Sequence, residues 1–120
     1  MKEVPTMRKA DRLQVYYKYG CHCAYCGRPI KYKEMQVDHY WPQFLAHLQP
    51  DLDNNRFENL MPSCAKDNLH KGGMRPEEWR KELGLQVTRL KKHAQFDRAL
   101  RFGQISITEN PIVFYFERCP

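Results

Sequence analysis

Apolar and polar positions along the chain change period several times, and each change suggests an element. Leu13, Tyr16 and Tyr17 recur on one side of a helical pattern; Thr6 is a suitable N-cap and Gly20 a stop, which predicts a helix ending near Tyr19. MQVDHY, residues 35–40, alternates with a period of two and predicts a short strand, and NLMP, residues 59–62, predicts a second. Between them PQFLAHLQ suggests a helical turn within a long connection that ends at DLDNN. Ser63 is placed to cap a helix over residues 64 to 71, closed by Gly72 and Gly73. Pro76-Glu77-Glu78 opens another helix, because proline suits the first turn and carboxylates its positive end, and Gly84 interrupts it. From Leu85 to about Phe102, Leu90, Ala94 and Leu100 lie among basic residues, which predicts an amphipathic helix. IVFYFE, residues 112–117, is β-branched and aromatic and predicts a closing strand. The fold class expected from these elements is α+β.

Composition adds little division to this picture. A chain of 120 residues with no repeat, linker or low-complexity tract is expected to form a single domain over residues 1–120. Its 20 Lys and Arg against 14 Asp and Glu give a net charge of +6 spread along the chain, which suits a polyanionic partner as readily as it suits plain solubility. No apolar run approaches the ~20 residues of a membrane span, and MKEVPTMRKA lacks the apolar centre of a signal peptide. The expectation is therefore a cytoplasmic protein with no membrane partner. Oligomeric state is left open.

Five cysteines change the picture more. In a reducing compartment the Cys23-Ala-Tyr-Cys26 spacing favours metal over disulfide, and Cys64-Ala-Lys-Asp67 has the form of a second knuckle with aspartate in its last place. Cys21 and Cys119 are expected to be free thiols. Between the two half-knuckles stands Asp38-His39, which alone reads most simply as a surface turn. On a strand the two side chains point to opposite faces, so they can serve one phosphate only from a strand end.

Taken in order, Cys23-x-x-Cys26, Asp38-His39, Asn59, Cys64, Asn68 and Lys71-Gly72 resemble the HNH endonucleases, the ββα-metal nucleases. The resemblance covers a motif core at residues 23–72, with a C-terminal extension at 76–120; the flanks, including NPIVFYFE, resemble small phage and prophage members more loosely. It implies a ββα-metal finger with zinc-knuckle elements, flanked by an N-terminal helix and by C-terminal helices with the closing strand. It also implies a metal-dependent nuclease acting on DNA, most simply a duplex, in a bacterial or phage-infected host cell. His39 would be the general base, suited because imidazole titrates near neutrality. Asn59 would hydrogen-bond the backbone around His39 and fix its ring; without the register it reads as a turn-forming residue. Asp38 and Asn68 would hold one divalent cation, and their oxygen donors favour Mg²⁺ or Mn²⁺. Asn68 stands where the family name has its last histidine.

Asp67 departs from the family pattern, in which zinc-clamped members carry cysteine. At about 100° per residue on a helix, Asp67 lies about 60° from Cys64 and His70 about 120° away, so Asp67 is the better-placed fourth ligand for a structural Zn²⁺ with Cys23, Cys26 and Cys64. The competing reading is an exposed i,i+4 ion pair of Asp67 with Lys71, and Cys21, His22 and His70 remain as other ligand candidates. Arg28, Lys71 and Arg75, close in sequence to the motif, are candidates for phosphate contacts in DNA. The alternatives to a nuclease are a non-catalytic zinc-finger-like DNA-binding module and a phage interaction protein that keeps the fold without the activity.

Overall fold

The computed structural model describes residues 7–43 and 55–120 of the protein. The helical turn expected in PQFLAHLQ lies almost entirely outside these residues. The chain packs as two compact units, Met1–Arg75 with Val113–Pro120, and Pro76–Ile112, a division that composition gave no reason to expect.

The first unit is mixed α and β. Helix α1 spans Lys9–Tyr17; its N-cap is Arg8, with no side-chain cap bond, and Gly20 at φ 65° follows its end. Strands β1, Gln36–His39, and β2, Leu60–Ser63, form an antiparallel pair in the register Gln36↔Ser63, Val37↔Pro62, Asp38↔Met61 and His39↔Leu60. Pro62 has no N–H to give, which is tolerated in a strand of a two-stranded sheet, and its carbonyl accepts from the Ala24 N–H at 2.8 Å. That bond docks the knuckle of residues 23–27 on the sheet. Gly27 closes the knuckle at φ 79°, and a Cβ there would stand 2.8 Å from the Tyr115 ring, so both conformation and space require glycine.

Helix α2, Ala65–Lys71, follows β2 directly and completes a ββα unit. Its N-cap is Cys64, whose sulfur accepts from the Asp67 N–H at 3.4 Å, and not the expected Ser63. Ser63 is fully buried as the last residue of β2, so the helix begins one residue later than its capping preference suggested. Gly72, at φ 52°, ends α2 as predicted.

The closing strand is not formed. Residues Tyr115–Arg118 make a short helix, labelled α6 below, which Glu117 starts by accepting the Phe114 N–H. The N–H groups of Tyr115 and Phe116 reach the Tyr25 and Ala24 carbonyls of the knuckle, which offers two acceptors and no strand to pair with. The aromatic residues that raised β-propensity serve in packing instead: Phe114 is buried, with Tyr25 and Phe116 rings at 5.4 Å and 6.0 Å.

The second unit is helical. Helix α3 spans Pro76–Gly84, with Trp79 buried, and Arg80 bridges Glu77 and the Ile112 carbonyl. The expected single helix from Leu85 to Phe102 is two, α4 at Gln86–Leu90 and α5 at Ala94–Arg101. Lys92 and His93 donate to the Arg89 and Leu90 carbonyls in tight turns, and His93 turns extended. Arg89, Lys91, Lys92 and His93 crowd this point, where cations suit a helix end better than a helix middle. None of the helices among the described residues is long and apolar enough to cross a membrane.

Candidate active site and metal centre

Two clusters share the ββα unit. In the first, the ligand atoms of Cys23, Cys26, Cys64 and Asp67 all lie within 4.8 Å of one another. Cys23 is fully buried, and its sulfur stands 3.3 Å from Asp67 Oδ2; the Cys26 and Cys64 sulfurs are 4.0 Å apart. In a tetrahedral site with bonds of ~2.3 Å to sulfur and ~2.0 Å to oxygen, neighbouring donors stand roughly 3.3–3.8 Å apart. Three thiols and one carboxylate make a donor set suited to a zinc ion, which would draw the wider-spaced sulfurs closer together. The competing Asp67–Lys71 pair is not present, because Lys71 turns inward. Nor do the other ligand candidates join the cluster: His22 contacts the Tyr19 carbonyl and the Tyr115 ring, and His70 is exposed on α2. Although Cys26 is exposed as a residue, partial desolvation pushes its thiol far above the usual range, against a backbone hydrogen bond at Arg28 that pulls it down. Cys64 is raised for the same reason, opposed by the Asp67 N–H.

The second cluster forms where α2 crosses β1. Asp38 and His39 are both buried at the end of β1. Asp38 Oδ2 accepts from the Tyr25 hydroxyl at 2.5 Å and pairs with Lys71 Nζ at 3.1 Å. Burial, and after it the Asp38 charge, push the Tyr25 hydroxyl well above the usual phenol range, so it serves as a donor. Lys71 also donates to the His39 carbonyl at 3.0 Å. Expected at a DNA phosphate, Lys71 is instead 1% exposed, with its charge committed to Asp38. Removing one partner of such a pair typically costs about 3–5 kcal/mol, because the other is left buried and uncompensated. Asn68, one turn before Lys71 on α2, donates to Gln36 Oε1, two residues before Asp38 on β1. Asp38 and Asn68 thus belong to the same α2–β1 contact, and among the described residues Asn68 Oδ1 has no hydrogen-bond partner. One carboxylate and one amide oxygen suit a hard divalent cation.

On the other side of β1, His39 Nε2 lies 2.8 Å from Asn55 Oδ1. An amide oxygen only accepts, so this contact puts the proton on Nε2 and leaves Nδ1 as the basic nitrogen. Asn59 is buried and brackets the residue two after His39: its Oδ1 accepts from the Trp41 N–H at 2.8 Å, its Nδ2 donates to the Trp41 carbonyl at 3.2 Å, and its own carbonyl takes the Tyr40 N–H. Just past α1, its C-cap residue Lys18 donates to the carbonyls of Phe57 and Leu60 at 2.7 and 2.8 Å, anchoring the turn that presents Asn59. Arg28 and Arg75 are exposed.

Sequence reasoning missed Tyr25, Gln36, Asn55 and Lys18. Tyr25 lies inside the knuckle and Gln36 in the strand alternation, so both were visible, but only the fold shows that they face Asp38 and Asn68. Asn55 carries no spacing signal.

Residues 23–73 match the HNH endonuclease family. Over this segment, under half of its length, the chain is similar to HNH endonuclease domains. Two curated relatives align with the chain, both CRISPR-associated endonuclease Cas9 proteins. The one from Corynebacterium diphtheriae is 29% identical over 120 residues, covering 95% of this chain and 11% of that protein. The one from Actinomyces naeslundii is 35% identical over 74 residues, covering 62% of this chain and 6% of that protein. The chain thus spans about a tenth or less of the length of these relatives. The HNH match takes in both the knuckle and the ββα unit, and both clusters lie inside it.

Proposed function

We propose that the HNH-like domain hydrolyses phosphodiester bonds of DNA in a reaction that depends on a divalent cation. The observation that supports this reading is the packing of α2 along β1, in which Lys71 pairs with Asp38 and with the His39 carbonyl while Asn68 bonds to Gln36 on the same strand. Nδ1 of His39 takes the proton of the attacking water; Asn55 holds the ring through Nε2, and Asn59 fixes the chain just beyond it. Asp38 and Asn68 Oδ1 hold the cation, Mg²⁺ or Mn²⁺. Bound there, it would neutralise the scissile phosphate and the leaving 3′ oxygen. The Cys23, Cys26, Cys64 and Asp67 cluster holds a structural Zn²⁺ that ties the knuckle to the start of α2. Arg28 and Arg75, exposed on the same unit, meet the DNA backbone. That the aligned relatives are named endonucleases supports a catalytic reading over a binding module.

Incubating supercoiled plasmid with the protein in Mg²⁺, Mn²⁺ or EDTA tests the proposal. Cleavage should require the cation, and His39→Ala should lose about 10²–10⁴ in rate while keeping its fold and DNA binding. Undiminished cleavage by that variant removes His39 as the base; DNA binding without cleavage under any cation would make the domain a binding module.

A further inference from the structure

Lys71 is a buried charge that the chemistry above does not use. Its ammonium touches two things, Asp38 Oδ2 at 3.1 Å and the His39 carbonyl at 3.0 Å, and its side chain is 0% exposed. A lysine is costly to bury, and here it sits against the one carboxylate assigned to the cation. With Tyr25 it occupies Oδ2, which leaves Oδ1 to the cation. We propose that Lys71 is a positioning residue, the built-in counter-charge of Asp38: it balances the carboxylate before a divalent cation arrives, fixes its rotamer and the His39 backbone, and weakens the cation's hold so that binding stays reversible. The inference rests on the reading of Asp38 as a cation ligand. Metal-free, Asp38 keeps one positive neighbour; with the cation bound it has more positive charge around it than it needs. Lys71 therefore trades metal affinity for a preformed site.

A stability cycle and a metal titration on the whole chain, with the cysteine cluster zinc-loaded, test this. Lys71→Met keeps the length of the side chain without its charge. It should lower the melting temperature in EDTA-free, Mn²⁺-free buffer, and Mn²⁺ should restore more of it than Mn²⁺ adds to the wild type. A charge within 4–6 Å shifts the binding of a proton by one to three decades, so mildly alkaline Mn²⁺ titrations should show binding tightened about tenfold or more. Cleavage should then saturate at lower Mn²⁺ but with a lower kcat, a split that lost packing alone does not produce. The double variant Asp38→Asn/Lys71→Met removes both charges; it should regain most of the stability lost by Lys71→Met and no longer respond to Mn²⁺.

Failure of Asp38→Asn to rescue Lys71→Met, or an equal Mn²⁺ shift in Lys71→Met and wild type, overturns the counter-charge role. If Lys71→Met does not fold without Mn²⁺, folding on its addition supports the role, and an unfolded state with Mn²⁺ that Asp38→Asn also leaves unfolded overturns it. Mn²⁺ silence in every protein alongside rescue by Asp38→Asn sinks the assignment of Asp38 as a cation ligand, and the trade of charge with it.

Discussion

Asp67→Ala separates a zinc ligand from a helix-end carboxylate. Asp67 stands in the first turn of α2, where a negative charge favours the helix by about 0.3–1 kcal/mol, and its Oδ2 lies 3.3 Å from the Cys23 sulfur. Without zinc, the substitution removes the first effect and the weak sulfur contact, which amounts to a loss of about 1 kcal/mol. With zinc it also removes a ligand. Losing even a partner that only orients a ligand lowers metal affinity about 10–100-fold, so losing the ligand should cost at least that, or about 1.4–2.8 kcal/mol of zinc-linked stability at fixed free zinc. A unit of this size shifts its melting point by roughly 4–8 °C per kcal/mol. Thermal unfolding at buffered free Zn²⁺ and in chelator should therefore show a drop of a few degrees in chelator and roughly 6–22 °C more with zinc. Asp67→Cys should do the reverse in zinc, because thiolate is the stronger donor. Equal drops with and without zinc, or undiminished stoichiometric zinc in Asp67→Ala by elemental analysis, refutes the ligand assignment.

Asn59→Ala deletes both side-chain bonds to the Trp41 backbone; it should cost about 2 kcal/mol and slow cleavage, and unchanged denaturation and rate would remove Asn59 from the site. Zinc affinity should rise with pH, because Cys23, Cys26 and Cys64 must each release a proton to bind and desolvation holds Cys26 and Cys64 protonated; chelator competition should approach roughly three decades per pH unit below the thiol range, and a flat profile contradicts it. One base and one cation site attack one strand per visit, so a monomer should take supercoiled plasmid to open circle before linear form, with binding that weakens as salt rises. Early linear product from a species that sediments as a monomer would contradict this; a dimer would instead bring two sites to opposite strands.

Local signals held where the local cause decides. Pro76 and Gly84 bound α3, Gly72 ends α2, and the alternating MQVDHY supplies β1 and NLMP most of β2, because caps, turn glycines and short strand signals act within a few residues. The register of cysteines, Asp38-His39, Asn59 and Asn68 was also legible in order along the chain, since it is a pattern of residue types. Contacts across the chain decided the rest. IVFYFE has the composition of a strand, yet the knuckle offers two carbonyls and an aromatic surface, so it coils into α6. Ser63 has the better capping chemistry, but its burial at the end of β2 gives the cap to Cys64. Lys71 stands at the end of the motif and in sequence reads as a basic residue free to meet phosphate. Only the crossing of α2 over β1 turns it inward onto Asp38, because the direction of a side chain is set by what the helix packs against and not by its neighbours along the chain.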